Sequence, residues 1–163
     1  VRDWSSDVCS SDLRMNMFAP DLEKGFQRAG GGKSLDNFDV VAGCTVVIGD
    51  DVTACLAQLK PTLALYVGGM GAKGKNFHNE MVSKYGYADV AAEIQDLYLA
   101  GRKKEATALV PDELCDEISL CGPPARIRER FKAWEDAGVS TMMVQSSQPE
   151  ALALMADVAG TNQ

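Results

Sequence analysis

Several things are scarce in this chain of 163 residues, and each scarcity narrows its class. No apolar run reaches the roughly 18 residues that cross a bilayer, which excludes an α-helical membrane span. Histidine occurs once, at position 78, and the five cysteines, Cys9, Cys44, Cys55, Cys115 and Cys121, never fall in a Cys-x-x-Cys spacing. A zinc cluster or dithiol redox pair therefore has no ligand set, and an odd number of thiols does not make a disulfide scaffold. Reduced core cysteines and a cytoplasmic location are the expectation. Basic residues are in the minority, 16 Lys and Arg against 23 Asp and Glu for a net charge of −7, which argues against a surface for nucleic acid. An initiating Met is also missing.

What is present is organised around Ile118 to Gln145. A short apolar run ends at Gly122-Pro123, an amphipathic segment carries Ile127, Phe131 and Trp134 at i, i+4 and i+7, and a second apolar run opens after Gly138. This predicts strand, helix, strand, with both strands parallel in one sheet and the helix over its face. Upstream, Pro20 to Ala29 predicts a short helix with Pro20 near its first turn, and Phe38 to Gly49 a strand rich enough in β-branched residues to be buried on both faces. Asp50-Asp51 caps a helix whose stripe is Val52, Cys55, Leu56, Leu59, Leu63, Tyr66 and Val67, kinked at Pro61. Three further helices over 77–85, 88–100 and 102–110 make an insertion on the βα repeat. A closing helix from Pro149 turns Leu152, Leu154, Met155 and Val158 inward.

The segment Gly68-Gly69-Met70-Gly71-Ala72-Lys73-Gly74-Lys75-Asn76-Phe77-His78 holds four glycines and two lysines and no acid. A glycine-rich stretch entering a helix near Asn76 can offer backbone N–H groups to an anion, with Lys73 and Lys75 adding charge. It is neither a P-loop nor a dinucleotide fingerprint, since no strand precedes it and no Ser or Thr follows the Gly-Lys pair. A flexible interhelical loop with two solvated lysines is the competing reading.

Residues 1–13 have no helical or strand period and resemble the translation of a sequencing-library adapter, so they are set aside as an artefactual or disordered leader. Residues 14–163 are expected to form one partial domain, a piece of a longer protein. The stretches Tyr-Val-Gly-Gly-Met-Gly-Ala-Lys-Gly-Lys-Asn-Phe-His-Asn at 66–79, Ala-Glu-Ile-Gln-Asp-Leu-Tyr-Leu-Ala-Gly at 92–101 and Val-Pro-Asp-Glu-Leu at 110–114 resemble the luciferase-like oxidoreductase family, and within it the members that use coenzyme F420. The resemblance implies an α/β fold, the C-terminal portion of a (β/α)8 TIM barrel, about three βα units plus a helical insertion.

For function, the resemblance implies hydride transfer between an organic substrate and the deazaflavin F420, the alternative being an FMN-dependent monooxygenase; either chemistry belongs to the cofactor. It puts the catalytic and ring-holding positions on earlier strands, outside this chain. The working face of a barrel is the C-terminal end of its strands, here Gly49-Asp50, Gly122-Pro123 and Gln145-Ser146-Ser147. Lys73, Lys75, Asn76 and His78 are the candidate contacts to an acidic substrate or cofactor tail; Arg126 could reach the same mouth. No metal, nucleic acid or membrane is expected; a small-molecule substrate and a homo-oligomeric parent are. A non-catalytic α/β module that binds an anionic partner or serves in assembly is the reading from a different class.

Overall fold

The computed structural model describes residues 15–161, so the leader and Cys9 lie outside the described residues. The chain divides into two compact units, one formed by the residues up to Ile48 together with those from Ile118 onward, the other Gly49–Glu117. The helices predicted as an insertion over 77–110 lie within the second unit, together with α2, α3 and the turn that follows.

The first unit opens with α1 (Met15–Ala29), followed by a 3-10 turn at Leu35–Asn37 closed by a Ser34/Asn37 capping box, and then β1 (Val41–Ile48). Helix α1 starts five residues earlier than the sequence suggested, with Pro20 inside it. So near the N-terminus, proline forfeits a single helical hydrogen bond. The second unit carries α2 (Val52–Ala57), α3 (Lys60–Ala64), a π turn at Leu65–Gly69, α4 (Phe77–Val82), another π turn at Ser83–Tyr87, α5 (Ala88–Leu99), α6 (Lys103–Ala108) and α7 (Asp112–Glu117). The chain then returns to the first unit through β2 (Ser119–Gly122), α8 (Pro124–Asp136), β3 (Thr141–Gln145) and α9 (Pro149–Val158). Pro61 does not kink one helix but sits in the first turn of α3, where its missing N–H costs nothing.

All three strands are parallel, in the order β2-β1-β3. The strands flanking α8 do share one sheet, but β1 lies between them, whereas the strands of a closed barrel pair in chain order. The eight residues of β1 let both neighbours pair with it at different heights. β2 pairs with Thr45 to Ile48 and β3 with Val41 to Thr45. β3 stops short of the end of β1, and a side chain completes the ladder: Ile48 N–H donates to Gln148 Oε1 at 2.7 Å while Gln148 Nε2 donates to Ile48 O at 2.9 Å. At the other end, Val40 N–H donates to Ser140 Oγ at 2.8 Å.

The core follows the period of two along β1. Ala42, Cys44 and Val46 turn to one face, where Leu120, Ile127, Phe131, Trp134, Ala151, Leu154 and Met155 close over them. Trp134 is 1% exposed and Ile127 fully buried, each contributing about 1.5–3 kcal/mol of apolar burial. β1 is buried on one face and on the other runs from exposed Val41 through half-buried Gly43 and Thr45 to buried Val47, not buried on both as its composition suggested, and β3 is half-buried at Met142 to Val144 and exposed at both ends. In α9 the inward positions are Ala151, Leu154 and Met155, while Leu152 turns outward. Spacing explains this: 151, 154, 155 and 158 lie on one helical stripe and 152 lies 100° from 151. Gly138 ends α8 at φ 85°, as the sequence predicted. Arg128 on α8 and Asp157 on α9 pair at 2.6 Å. The cysteines at 44, 55, 115 and 121 are buried.

Gln148→Ala leaves the Ile48 N–H and C=O without partners and should cost roughly 1–3 kcal/mol, read as a lower urea midpoint. An unchanged midpoint would show that the Gln148 contact does not secure the end of the ladder.

Candidate functional site

The glycine-rich segment belongs to the second unit, and packing rather than flexibility accounts for its first glycines. Gly68 and Gly69 lie in the π turn against the ring of Tyr98 on α5. A Cβ on Gly68 would stand 2.5 Å from Tyr98 Cβ, and one on Gly69 2.5 Å from Tyr98 Cε1. No side chain fits there without moving the Tyr98 ring or the turn.

A helix ending in a π turn leaves carbonyls without helical partners. Two asparagines supply them. Asn76, 2% exposed, donates through Nδ2 to Tyr66 O and Val67 O, both at 2.9 Å. Its Oδ1 accepts from His78 N–H at 3.0 Å and Asn79 N–H at 3.2 Å, which makes it the N-cap of α4. Asn79 Nδ2 donates to Val67 O at 3.1 Å and Ala91 O at 2.7 Å, joining the turn to α5. Gln95, 4% exposed, donates to Gly71 O at 3.3 Å from the same helix. Helix α4 thus begins where the sequence placed it, but its first N–H groups meet a side chain and are closed to an anion.

The four candidate residues therefore occupy one short stretch with different freedom. Asn76 is saturated, with two donors and two acceptors all used on backbone. Lys73 is exposed and pairs with Asp96 on α5. Lys75 is exposed and has no ion-pair partner among the described residues. His78 is half-buried, its ring 4.7 Å from that of Tyr66 and 5.7 Å from that of Phe77, and its Nδ1 is buried with no hydrogen-bond partner among the described residues. Arg126 is in the other unit and donates to Cys121 O at 2.6 Å, folding back on the end of β2. Away from the segment, the Arg102 guanidinium hydrogen-bonds Glu105 and holds its carboxyl below the ordinary carboxylate range, while Glu105 raises Arg102. Both groups are on the surface and bear on local charge only.

Sequence reading identified Asn76 as the start of a helix but missed Asn79, Gln95 and Gln148 as structural polar residues. A signal was available for Asn79: two asparagines three apart at a helix start share one face. Gln95 and Gln148 carried none, because their partners are 24 and 100 residues away.

The solved structure of coenzyme F420-dependent tetrahydromethanopterin reductase from Methanopyrus kandleri superposes with a TM-score of 0.64 at 22% identity, over 91% of this chain and 41% of that one. The α/β fold is accordingly that of part of a (β/α)8 barrel, from whose chain-order strand pairing the order β2-β1-β3 departs. Residues 9–141 match the family model described as Luciferase-like monooxygenase, and the chain belongs to that family. It is 42% identical over 129 residues to the Mycobacterium tuberculosis protein named "Putative coenzyme F420-dependent oxidoreductase Rv3520c". That match covers 79% of this chain and 37% of the relative's length. No helix among the described residues is long and apolar enough to cross a membrane, and no group of three or more His, Cys, Asp or Glu there could hold a metal ion.

For an anionic group of a coenzyme or substrate, the exposed Lys75, with Lys73 beside it, offers cationic charge, whereas His78 Nδ1 is closed to solvent.

The clamp can be tested in steps. Asn76→Ala loses all four bonds, and Asn76→Asp keeps the cap on His78 and Asn79 but turns a buried carboxylate oxygen toward the Tyr66 and Val67 carbonyls. We expect losses of about 3–5 kcal/mol from Ala and at least as much from Asp by urea denaturation. A loss under about 1 kcal/mol from either would mean that the Tyr66 and Val67 carbonyls find other partners.

Proposed function

We propose that this chain is part of an F420-dependent oxidoreductase in which the segment Met70 to His78 contacts the acidic part of the coenzyme or of a small organic substrate. The observation that carries the reading is Lys75, a cation without an acidic partner among the described residues, on a loop whose flanks are fixed by a buried asparagine. Support for F420 over FMN comes from two relatives, both named for dependence on F420. The deazaflavin, when bound, supplies the hydride chemistry. This chain's residues supply charge and a fixed loop. Lys75 attracts the anion; Lys73, shared with Asp96, adds to the local potential; His78, its Nδ1 closed to solvent, packs on Tyr66 and Phe77 at the end of the loop; and Asn76, with no free valence, holds the loop in position.

A full-length protein carrying this segment should bleach the deazaflavin absorption band when substrate is added. Lys75→Ala should raise the dissociation constant for coenzyme or substrate about ten-fold, the loss of one charge-assisted contact, and Lys73→Ala less. A full-length protein that binds neither F420 nor FMN would overturn the reading. If it binds neither but holds inorganic phosphate through Lys75, the non-catalytic anion-binding module takes its place.

A further inference from the structure

The two lysines of the glycine-rich segment stand on a hydrogen-bonded turn. Lys75 N–H donates to Ala72 O at 2.9 Å and Gly74 takes φ 70°, so Lys73 and Gly74 hold the two central positions and Lys75 the last. Gly71 packs behind the turn, where a Cβ would stand 2.5 Å from Lys75 O, and Gln95 of α5 donates to Gly71 O. The next residue of that helix is Asp96, whose carboxylate pairs with Lys73. Lys103 of α6 is engaged as well, its Nζ 5.3 Å from the centroid of the Tyr98 ring. Of these three lysines, Lys75 alone has neither an acid nor an aromatic ring as partner among the described residues. All of these groups belong to the second unit.

We propose that Asp96 sets the charge of the ligand: by neutralising Lys73 it leaves the turn one cation, Lys75, and matches it to a singly charged oxyanion, a carboxylate or phosphodiester, over a doubly charged phosphomonoester. This rests on the reading of the segment as an anion contact. An exposed ion pair adds little to stability, and what Asp96 changes is the field above the turn. Two lysines against one carboxylate leave a single net positive charge. A singly charged group is met by that charge. A second charge on the ligand would find Lys73 already paired and the Asp96 carboxylate beside it, with a larger loss of hydration to offset.

The test is calorimetry on a full-length protein carrying this segment, with dimethyl phosphate and methyl phosphate as probes at about pH 8, where the first bears one charge and the second two. Asp96→Asn keeps the size and the acceptor oxygen but drops the charge. We expect it to tighten dimethyl phosphate about three-fold and methyl phosphate about ten-fold, roughly the square, because the electrostatic gain doubles with the charge of the probe. Adding Lys73→Ala should return both constants close to wild type, and Asp96→Glu, which keeps the acid, should leave them there. Acetate as a third probe separates the two sources of a single charge, the tighter of acetate and dimethyl phosphate being the class bound. An equal change for both phosphates, as a mere loosening of the turn would give, overturns the inference. So does no change, or a gain that survives Lys73→Ala. The proposed function outlasts those outcomes wherever Lys75→Ala weakens binding. If no probe binds, or Lys75→Ala weakens none, the turn is not an anion contact and the proposed function fails with the inference.

Discussion

A strand in the middle of a parallel sheet has hydrogen-bonding groups on both edges, and inside a protein they must all be met. β1 is that strand here, and the arrangement of the first unit follows from serving it. Its two neighbours are shorter than it is, four and five residues against eight, so they cover different lengths of it and leave a gap. Gln148, in the loop before α9, fills the gap with an amide group that imitates one more residue of strand. The same residue precedes the first turn of α9, which couples the end of the ladder to the placement of the helix over the core.

The second unit solves the same accounting problem at a helix end. A π turn at Leu65–Gly69 lets the backbone come close under Tyr98 but releases carbonyls that a helix would have used. Asn76 and Asn79 receive them, and Asn76 at the same time caps α4. One side chain with four bonds thus fixes both flanks of the lysine-bearing loop. The glycines are the steric counterpart of the asparagines: one pair allows the approach, the other stabilises the backbone that results.

Much of this was legible in the residues, and for stated reasons. Periodicity found the three strands, the stripe through Leu56, Leu59 and Leu63, and the helix carrying Ile127, Phe131 and Trp134, because burial of one face leaves its period in the sequence. Glycine marked the end of α8 at 138 because only a left-handed residue fits there. Strand order was not legible, since β2-β1-β3 and a chain-order sheet demand the same apolar runs. Of the site, the position of the loop and its charge could be read. The saturation of Asn76 could not, because an asparagine before a helix looks the same whether its Nδ2 meets water or two buried carbonyls. The pairing of Lys73 with Asp96 was hidden for a similar reason: it joins the loop to α5, 23 residues further on.

Pinning both flanks of the loop also separates its contents from its frame. With Asn76 tied to Tyr66 and Val67, residues 70–75 close a ring whose ends are already together. Doubling such a ring costs only about 0.6 kcal/mol in closure entropy. Outside Gly71, where a Cβ would stand 2.5 Å from Lys75 O, and Gly74, at φ 70°, residues can be exchanged or inserted there at little expense to the helices on either side.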